Sequence, residues 1–190
     1  MTLIEVKNLL DYTNATRESR GKMATMAMEN PGMVPLLLAI AKENKTPLSS
    51  RAAWVLEFAI VQNRELALPY MDELTDSLLH MQLDSCIRPL AKICEYLAKD
   101  YFATKPNMVQ QTLNGEHLEK IVEACFDWLL GQHKIAPQAY SMQTLFLLGQ
   151  KFDWIHPELR GILERNYAQG SAGYRARARK ILAKIQSMDM

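Results

Sequence analysis

Apolar residues recur at intervals of three and four along most of the chain, as in MVPLLLAIAKEN, HLEKIVEACFDWLLG and RARKILAKI. This spacing places them on one side of an α-helix, whereas a half-buried strand would alternate apolar and polar residues. Strand-like alternation is nearly absent from the sequence. The pattern therefore predicts an all-α fold in which the helices pack by their apolar faces.

Capping and turn residues divide this pattern into helices that come in pairs. Asn30 is predicted to cap one helix and Ser49 with Ser50 the next, while Gly131 and Gly149 are typical of helix ends. First helices of a pair are predicted at residues 31–43, 65–81, 116–130 and 157–167, and second helices at 50–62, 85–99, 137–150 and 172–185. Residues 3–30 are predicted to form one more pair.

The helix pairs form a repeat. The predicted first helices begin at residues 31, 65, 116 and 157, a spacing of roughly 40 residues. Such a repeat is typical of α-solenoids, in which each hairpin buries its apolar faces against its neighbours. The sequence predicts one domain over residues 1–190 with about five stacked hairpins. The longest step contains a predicted insertion near residues 101–117, with a short helix at 106–113.

Two consecutive hairpins carry a more specific pattern. The segment VPLLLAIAKENKTPLSSRAAWVLEFA resembles a HEAT repeat, with proline and leucines in its first helix, a polar turn, and an arginine before small residues in its second. Pro35, Arg51 and Ala52 carry the resemblance, and Asp84 and Arg88 repeat it in the next hairpin. The resemblance implies a right-handed α–α superhelix of the HEAT or armadillo type. It specifies the fold far better than the function.

The chain is also similar to short bacterial HEAT-like proteins that are sometimes labelled adenylosuccinate lyase. A fumarase-type lyase has a much longer chain, assembles as a tetramer of long helices, and carries a mobile serine-rich loop. Ser49 and Ser50 lie in a short predicted turn and do not form such a loop. The sequence therefore argues against lyase activity.

Composition and charge add few constraints. The 190 residues are 48% hydrophobic and 23% charged, which is typical of a globular protein, and the net charge of +1 gives no overall field to recruit nucleic acid. Cys86, Cys94 and Cys125 have no disulfide-framework spacing and are predicted to be reduced, buried residues. With no signal peptide or membrane-spanning stretch in the pattern, we expect a cytoplasmic protein without membrane contact.

The helix SRAAWVLEFAI combines an apolar run with Arg51, Trp54 and Glu57 at three-residue steps. Steps of three spread these residues over about 120° of one helical flank. They are predicted either to line a binding groove, with arginine and tryptophan as anchors, or to join neighbouring repeats. For Arg51 and Trp54 the residue types favour the second interpretation.

Other second helices carry polar residues that would extend this groove if the hairpins stack in register. Arg88, Lys92 and Glu95 share one stripe, although a solvated helix face would show the same pattern. The complete set of predicted groove residues is Arg51, Trp54, Glu57, Arg88, Lys92, Glu95, Tyr96, Gln143, Arg175 and Arg179.

Two local clusters near the carboxyl end are better explained by a structural role than by binding or catalysis. The basic segment YRARARK is typical of a polar helix that closes the end of a solenoid. The segment FDWIHPEL occupies a predicted turn, where Phe152, Trp154 and Ile155 are expected to hold the turn against the core. Neither cluster is predicted to be catalytic.

Known enzyme motifs are absent from the sequence, and its four histidines lack metal-ligand spacing. We predict no catalytic residue, no metal and no cofactor. The predicted function is a non-catalytic interaction scaffold that presents a concave groove to a protein or peptide partner. The alternative is a nucleic-acid-binding solenoid or a DNA-repair enzyme similar to the HEAT-like alkylpurine DNA glycosylases, whose groove holds damaged DNA.

Overall fold

The computed structural model describes residues 1–188, which form α-helices, one 3₁₀ helix and connecting turns, with no strand in this range. The amino-terminal half contains α1 (Leu3–Asp11), α2 (Arg17–Glu29), α3 (Met33–Lys42), α4 (Leu48–Gln62), the 3₁₀ helix (Arg64–Tyr70) and α5 (Met71–Leu78). The carboxyl-terminal half contains α6 (Asp84–Tyr101), α7 (Met108–Thr112), α8 (Gly115–Leu130), α9 (Ile135–Leu148), α10 (Ile155–Tyr167) and α11 (Ala172–Met188). The all-α prediction is confirmed.

Local sequence explains where several helices begin. Asn114 caps α8, because its side-chain oxygen accepts a hydrogen bond from the His117 backbone N–H at 2.9 Å. The His117 ring in turn accepts a hydrogen bond from the Asn114 backbone N–H at 3.3 Å. Thr2 and Glu5 form the corresponding pair at the start of α1. These reciprocal contacts satisfy backbone donors that have no partner in the first helical turn.

Ser49 and Ser50 do not cap α4, so that prediction was wrong. The helix already begins at Leu48, and both serines lie inside its first turn. Ser49 Oγ donates to the Ile40 carbonyl at 2.7 Å and accepts from the Lys45 backbone N–H at 2.9 Å. Ser49 therefore closes the turn between α3 and α4 from within the helix, a role that side-chain hydroxyls also favour.

The helix predicted at residues 65–81 is divided in the structure. Its first part is the 3₁₀ helix, which contains Pro69, and α5 begins only at Met71. Proline has no backbone N–H to donate to the carbonyl four residues earlier, and its ring would clash with that carbonyl in a continuous α-helix. In the structure Pro69 lies in the 3₁₀ helix, two residues before α5 begins.

The helices pack in two rows. In the second-helix row, α2, α4, α6, α9 and α11 each contact the next member, and in the other row α1, α3, α5 and α8 do the same. Contacts of α3 with α4 and of α8 with α9 join the rows, and α10 packs against α9 and α11. One connected cluster of buried hydrophobic residues extends through both rows from Val6 to Ile185.

Side chains in the turns also connect consecutive hairpins. Asn44 has a left-handed φ of 51°, which asparagine tolerates, and its amide donates to the His80 carbonyl at 2.8 Å. Its side-chain oxygen accepts from the Gln82 backbone N–H at 2.9 Å. Asp84 makes a 2.7 Å hydrogen bond to His133 Nδ1. Each of these turns joins the first helix of a hairpin to the second, so the contacts hold hairpins in register.

Candidate functional site

Glu57 lies at the centre of a polar surface that α4 and α6 form together. Its side chain is only 3% exposed, and its oxygens accept hydrogen bonds from Arg88 Nη2 at 2.8 Å and Lys92 Nζ at 2.9 Å. A buried carboxylate is stable only when such partners replace water. The two cations are partly exposed, so the cluster fixes α4 against α6 and leaves a net positive charge at the surface.

Glu95 is a second buried carboxylate on the same side of α6. Its Oε1 accepts a hydrogen bond from Lys99, whereas its buried Oε2 has no hydrogen-bond partner within residues 1–188. Lys99 Nζ also lies 4.9 Å from the centroid of the Tyr96 ring, and the Arg64 guanidinium lies 4.8 Å from it. Arg64 pairs with Asp100 at 2.9 Å. The predicted stripe on α6 is thus a network of paired charges.

Trp54 and Phe58 provide the aromatic part of this surface. Both side chains are half-buried, and the guanidinium of Arg20 from α2 lies 5.9 Å and 4.6 Å from the centroids of their rings. A cation over a ring face is favourable because the face carries negative potential. Arg20 makes no ion pair with any residue that the structure describes, so α2 adds an uncompensated cation. We call Trp54, Glu57, Phe58, Arg88, Lys92, Glu95, Tyr96 and Lys99 the α4–α6 surface.

A cleft of about 350 Å³ opens beside Glu57, between α2, α4 and α6. Phe58 and Val61 give it an apolar wall, and Arg17 and Lys92 place cations at its edge. Arg17 is exposed and makes no ion pair within the described part of the chain. The cleft therefore offers an apolar wall with cations at its edge, while the carboxylate of Glu57 is buried and paired.

Arg51 joins two helices and does not face this cleft. Its Nη1 donates to the carbonyls of Leu10 and Asp11, each at 3.1 Å, and lies 3.5 Å from the Asp11 carboxylate. These carbonyls belong to the end of α1, where the last C=O groups have no partner within the helix. A cation there is favourable because the carboxyl end of a helix carries partial negative charge. The geometry fits the interpretation of Arg51 as a link between repeats.

Replacing Arg51 with alanine should release α1 from α4. We expect the free energy of unfolding to fall by about 1–2 kcal/mol, because two charge-assisted hydrogen bonds to carbonyls are lost. Amide hydrogen exchange should increase in α1 more than elsewhere, since α1 loses this anchor. Arg175→Ala is the matched control, because Arg175 donates to the Gly170 carbonyl from an exposed position. Equal exchange of α1 in both variants would contradict the assigned role.

The remaining predicted groove residues lie apart from the α4–α6 surface. Gln143 is 9% exposed on α9, which packs against α6. Arg175 lies at the start of α11, and Arg179 lines a separate cleft with Glu164 and Tyr167 of α10. Because α9 lies between α6 and α11 in the second-helix row, the structure does not bring the two arginines to Glu57.

Sequence reasoning missed four cations that complete the surface. Lys99 could have been found, because it follows Glu95 by four residues, the spacing of helical ion pairs. Arg17, Arg20 and Arg64 belong to other segments, and only the packing of those segments brings them to α4 and α6. No local sequence pattern indicates that these three arginines lie beside α4 and α6.

The thiols of Cys86 and Cys94 are poorly suited to nucleophilic chemistry. All three cysteines are buried and free, as predicted. Burial raises the pKa of Cys86 to about 11, despite hydrogen bonds with Ser50 and Ser85 that oppose the shift. A hydrogen bond to Cys125, together with burial, raises the pKa of Cys94. Because the thiolate is the reactive form, Cys86 and Cys94 are held in the unreactive state at neutral pH.

Comparisons of the chain with protein-family models, with curated proteins and with solved structures find no match. Within residues 1–188, no group of three or more histidine, cysteine, aspartate or glutamate side chains is arranged to hold a metal ion. The same residues contain no helix that is both long enough and apolar enough to cross a membrane.

Proposed function

We propose that this chain is a non-catalytic interaction scaffold that binds a protein or peptide partner along its second-helix row. In this proposal the five hairpins form a right-handed superhelix of HEAT or armadillo type, and α2, α4 and α6 contribute the main part of the groove. The packing of consecutive second helices supports it, as do the turn contacts of Asn44 and Asp84 between hairpins. Both features are typical of stacked repeats.

The observation that carries the proposal is the cleft beside Glu57. Its volume of about 350 Å³ suits one side chain of a partner, and Phe58 with Val61 supplies apolar surface for that side chain to cover. Interfaces gain most of their affinity from a few such anchored residues near the centre of the contact. Arg17 and Lys92 at the edge can pair with carboxylates of the partner and fix its orientation.

The charges of this surface favour a protein partner over nucleic acid. Glu57, Glu95 and Asp100 lie among the cations and are hydrogen-bonded to them. A phosphate backbone requires an extended run of uncompensated cations, which gives its binding a steep salt dependence. Here these three carboxylates compensate much of the positive charge, which suits recognition of a protein surface better than tracking of a phosphate backbone.

The test is to fill the cleft without disturbing the fold. Gly21 of α2 lines the cleft, and a Cβ added there meets nothing within 4 Å. The tagged chain is used to isolate partners from the native host, and the affinity of a purified partner is measured by calorimetry. We expect Gly21→Phe and Arg17→Glu each to weaken binding by at least about tenfold, a loss of about 1.4 kcal/mol.

Gly21→Ala is the matched control, because it adds one methyl group and leaves the cleft open. It should keep the affinity and raise the free energy of unfolding by about 0.5–1 kcal/mol, since alanine favours the helix over glycine. Unchanged affinity of both cleft variants would exclude this cleft as the binding site. Salt-dependent binding to alkylated or undamaged DNA at low ionic strength, with no protein partner, would favour the nucleic-acid alternative.

A further inference from the structure

A second cleft is formed by α8 and the turn that precedes α10, on elements that do not belong to the α4–α6 surface. Its volume is about 420 Å³. Phe126 of α8 stacks on Trp154, with 5.5 Å between ring centroids and an interplanar angle of 19°. Phe152 and Val122 complete the apolar wall. Three aromatic rings therefore meet in one surface depression.

Trp154 is the unusual member of this group. The sequence predicts that Trp154 holds the turn against the core, but the side chain is 56% exposed, so that prediction was wrong. Ile155, the next residue, is fully buried and has the predicted anchoring role. Because Ile155 already fixes the turn, the core does not require the tryptophan. Large exposed aromatic side chains beside other apolar residues commonly mark binding surfaces.

Two carboxylates give the cleft its charge. Glu119 and Glu123 lie one turn apart on α8, both are exposed, and both line the cleft. Neither forms an ion pair with any residue in the described range, and like charges at this spacing repel each other. The cleft thus combines aromatic faces with uncompensated negative charge. Both features attract a cation, the first through the ring quadrupole and the second through Coulomb attraction.

We propose that this cleft binds an arginine side chain of a basic segment in a partner protein. The planar guanidinium can stack on the face of Trp154 or Phe126 while its N–H groups donate to Glu119 and Glu123. Lysine fits less well, because its ammonium is a strongly hydrated point charge and cannot stack as a plane. This site adds a second contact surface and does not depend on the groove proposed for α2, α4 and α6.

The binding test uses the whole chain and three peptides that differ in one feature. The probes are acetyl-(Gly-Arg)4-amide, the same peptide with citrulline in place of arginine, and the same peptide with lysine. Binding is followed by the indole N–H signal of Trp154 in ¹⁵N-correlated NMR spectra. We expect a saturable shift with the arginine peptide, binding weaker by about fivefold with lysine, and no binding with uncharged citrulline.

Matched variants distinguish binding at the cleft from nonspecific attraction of the cationic peptide to exposed carboxylates. Glu119→Gln with Glu123→Gln should weaken arginine-peptide binding by about fivefold or more. Glu29→Gln with Glu65→Gln removes the same charge at exposed positions outside the cleft and should have little effect. Trp154→Ala should abolish the binding and retain the helical circular dichroism, since the side chain is largely exposed.

Three results would overturn the proposal. Equal weakening in the two glutamine pairs would show nonspecific charge attraction. Equal binding of the lysine or citrulline peptide would exclude recognition of the guanidinium group. Absence of a Trp154 signal shift with the arginine peptide would exclude the cleft as its site, whatever the outcome for the cleft beside Glu57.

Discussion

Replacing both Arg88 and Lys92 with methionine is expected to lower the free energy of unfolding by about 3–5 kcal/mol. Methionine keeps much of the aliphatic packing of both side chains but removes their charges. Glu57 then remains in a site that exposes only 3% of its side chain, with neither of its two ion-pair partners. Urea denaturation monitored by circular dichroism measures this change in the free energy of unfolding.

A triple variant tests whether the uncompensated carboxylate causes this loss. Adding Glu57→Leu to the two methionine substitutions removes the buried charge and should recover most of the lost stability. Replacing a whole buried ion cluster by apolar residues of similar volume is often neutral or stabilising. If the triple variant is as unstable as the double variant, the loss comes from altered packing, and the compensating role of the cations is wrong.

Gly149→Ala is expected to lower the free energy of unfolding by about 2–4 kcal/mol, which combines overpacking with a lost hydrogen bond. Gly149 ends α9, as the sequence predicts. What excludes a larger residue at this position is the adjacent ring of His156. A Cβ at this position would lie 2.2 Å from Cδ2 and Nε2 of His156. The ring cannot move freely, because its Nε2–H donates to the Phe146 carbonyl at 2.8 Å.

A double-mutant cycle measures this clash directly. In a His156→Ala background the added methyl group has space, so Gly149→Ala should cost less than about 1 kcal/mol there. The free energies of unfolding come from denaturant titrations of the four proteins. Equal costs in the two backgrounds would show that the backbone of the α9 terminus, and not the His156 ring, excludes a side chain at residue 149.

The sequence predicted the helices well because each depends on its own residues. The period of the apolar residues places the buried face of α8, and capping residues such as Asn114 mark a helix start. The errors occurred at positions where helical periodicity or capping preference did not decide the local structure. The segment that contains Pro69 has helical periodicity but forms a 3₁₀ helix, and Ser49 closes a turn from within α4.

The candidate site was predicted less completely, because its members come from different segments. Periodicity placed Glu57 on one flank of α4, but its two partners lie 31 and 35 residues later. Arg51 has the same residue type as Arg88, yet it binds carbonyls 40 and 41 residues earlier. No property of the helix SRAAWVLEFAI distinguishes a flank covered by α1 from one that faces α6.

The sequence by itself determined that the chain is helical, where most of its helices lie and, for amphipathic helices such as α8, which side carries the apolar residues. These properties follow from backbone hydrogen bonding and side-chain periodicity within a single segment. Only the tertiary structure decided that Arg51 is a link to α1, that Glu57 is buried between two cations and that Trp154 is exposed. The reason is physical, since the burial and charge of a side chain depend on which neighbouring helix covers it.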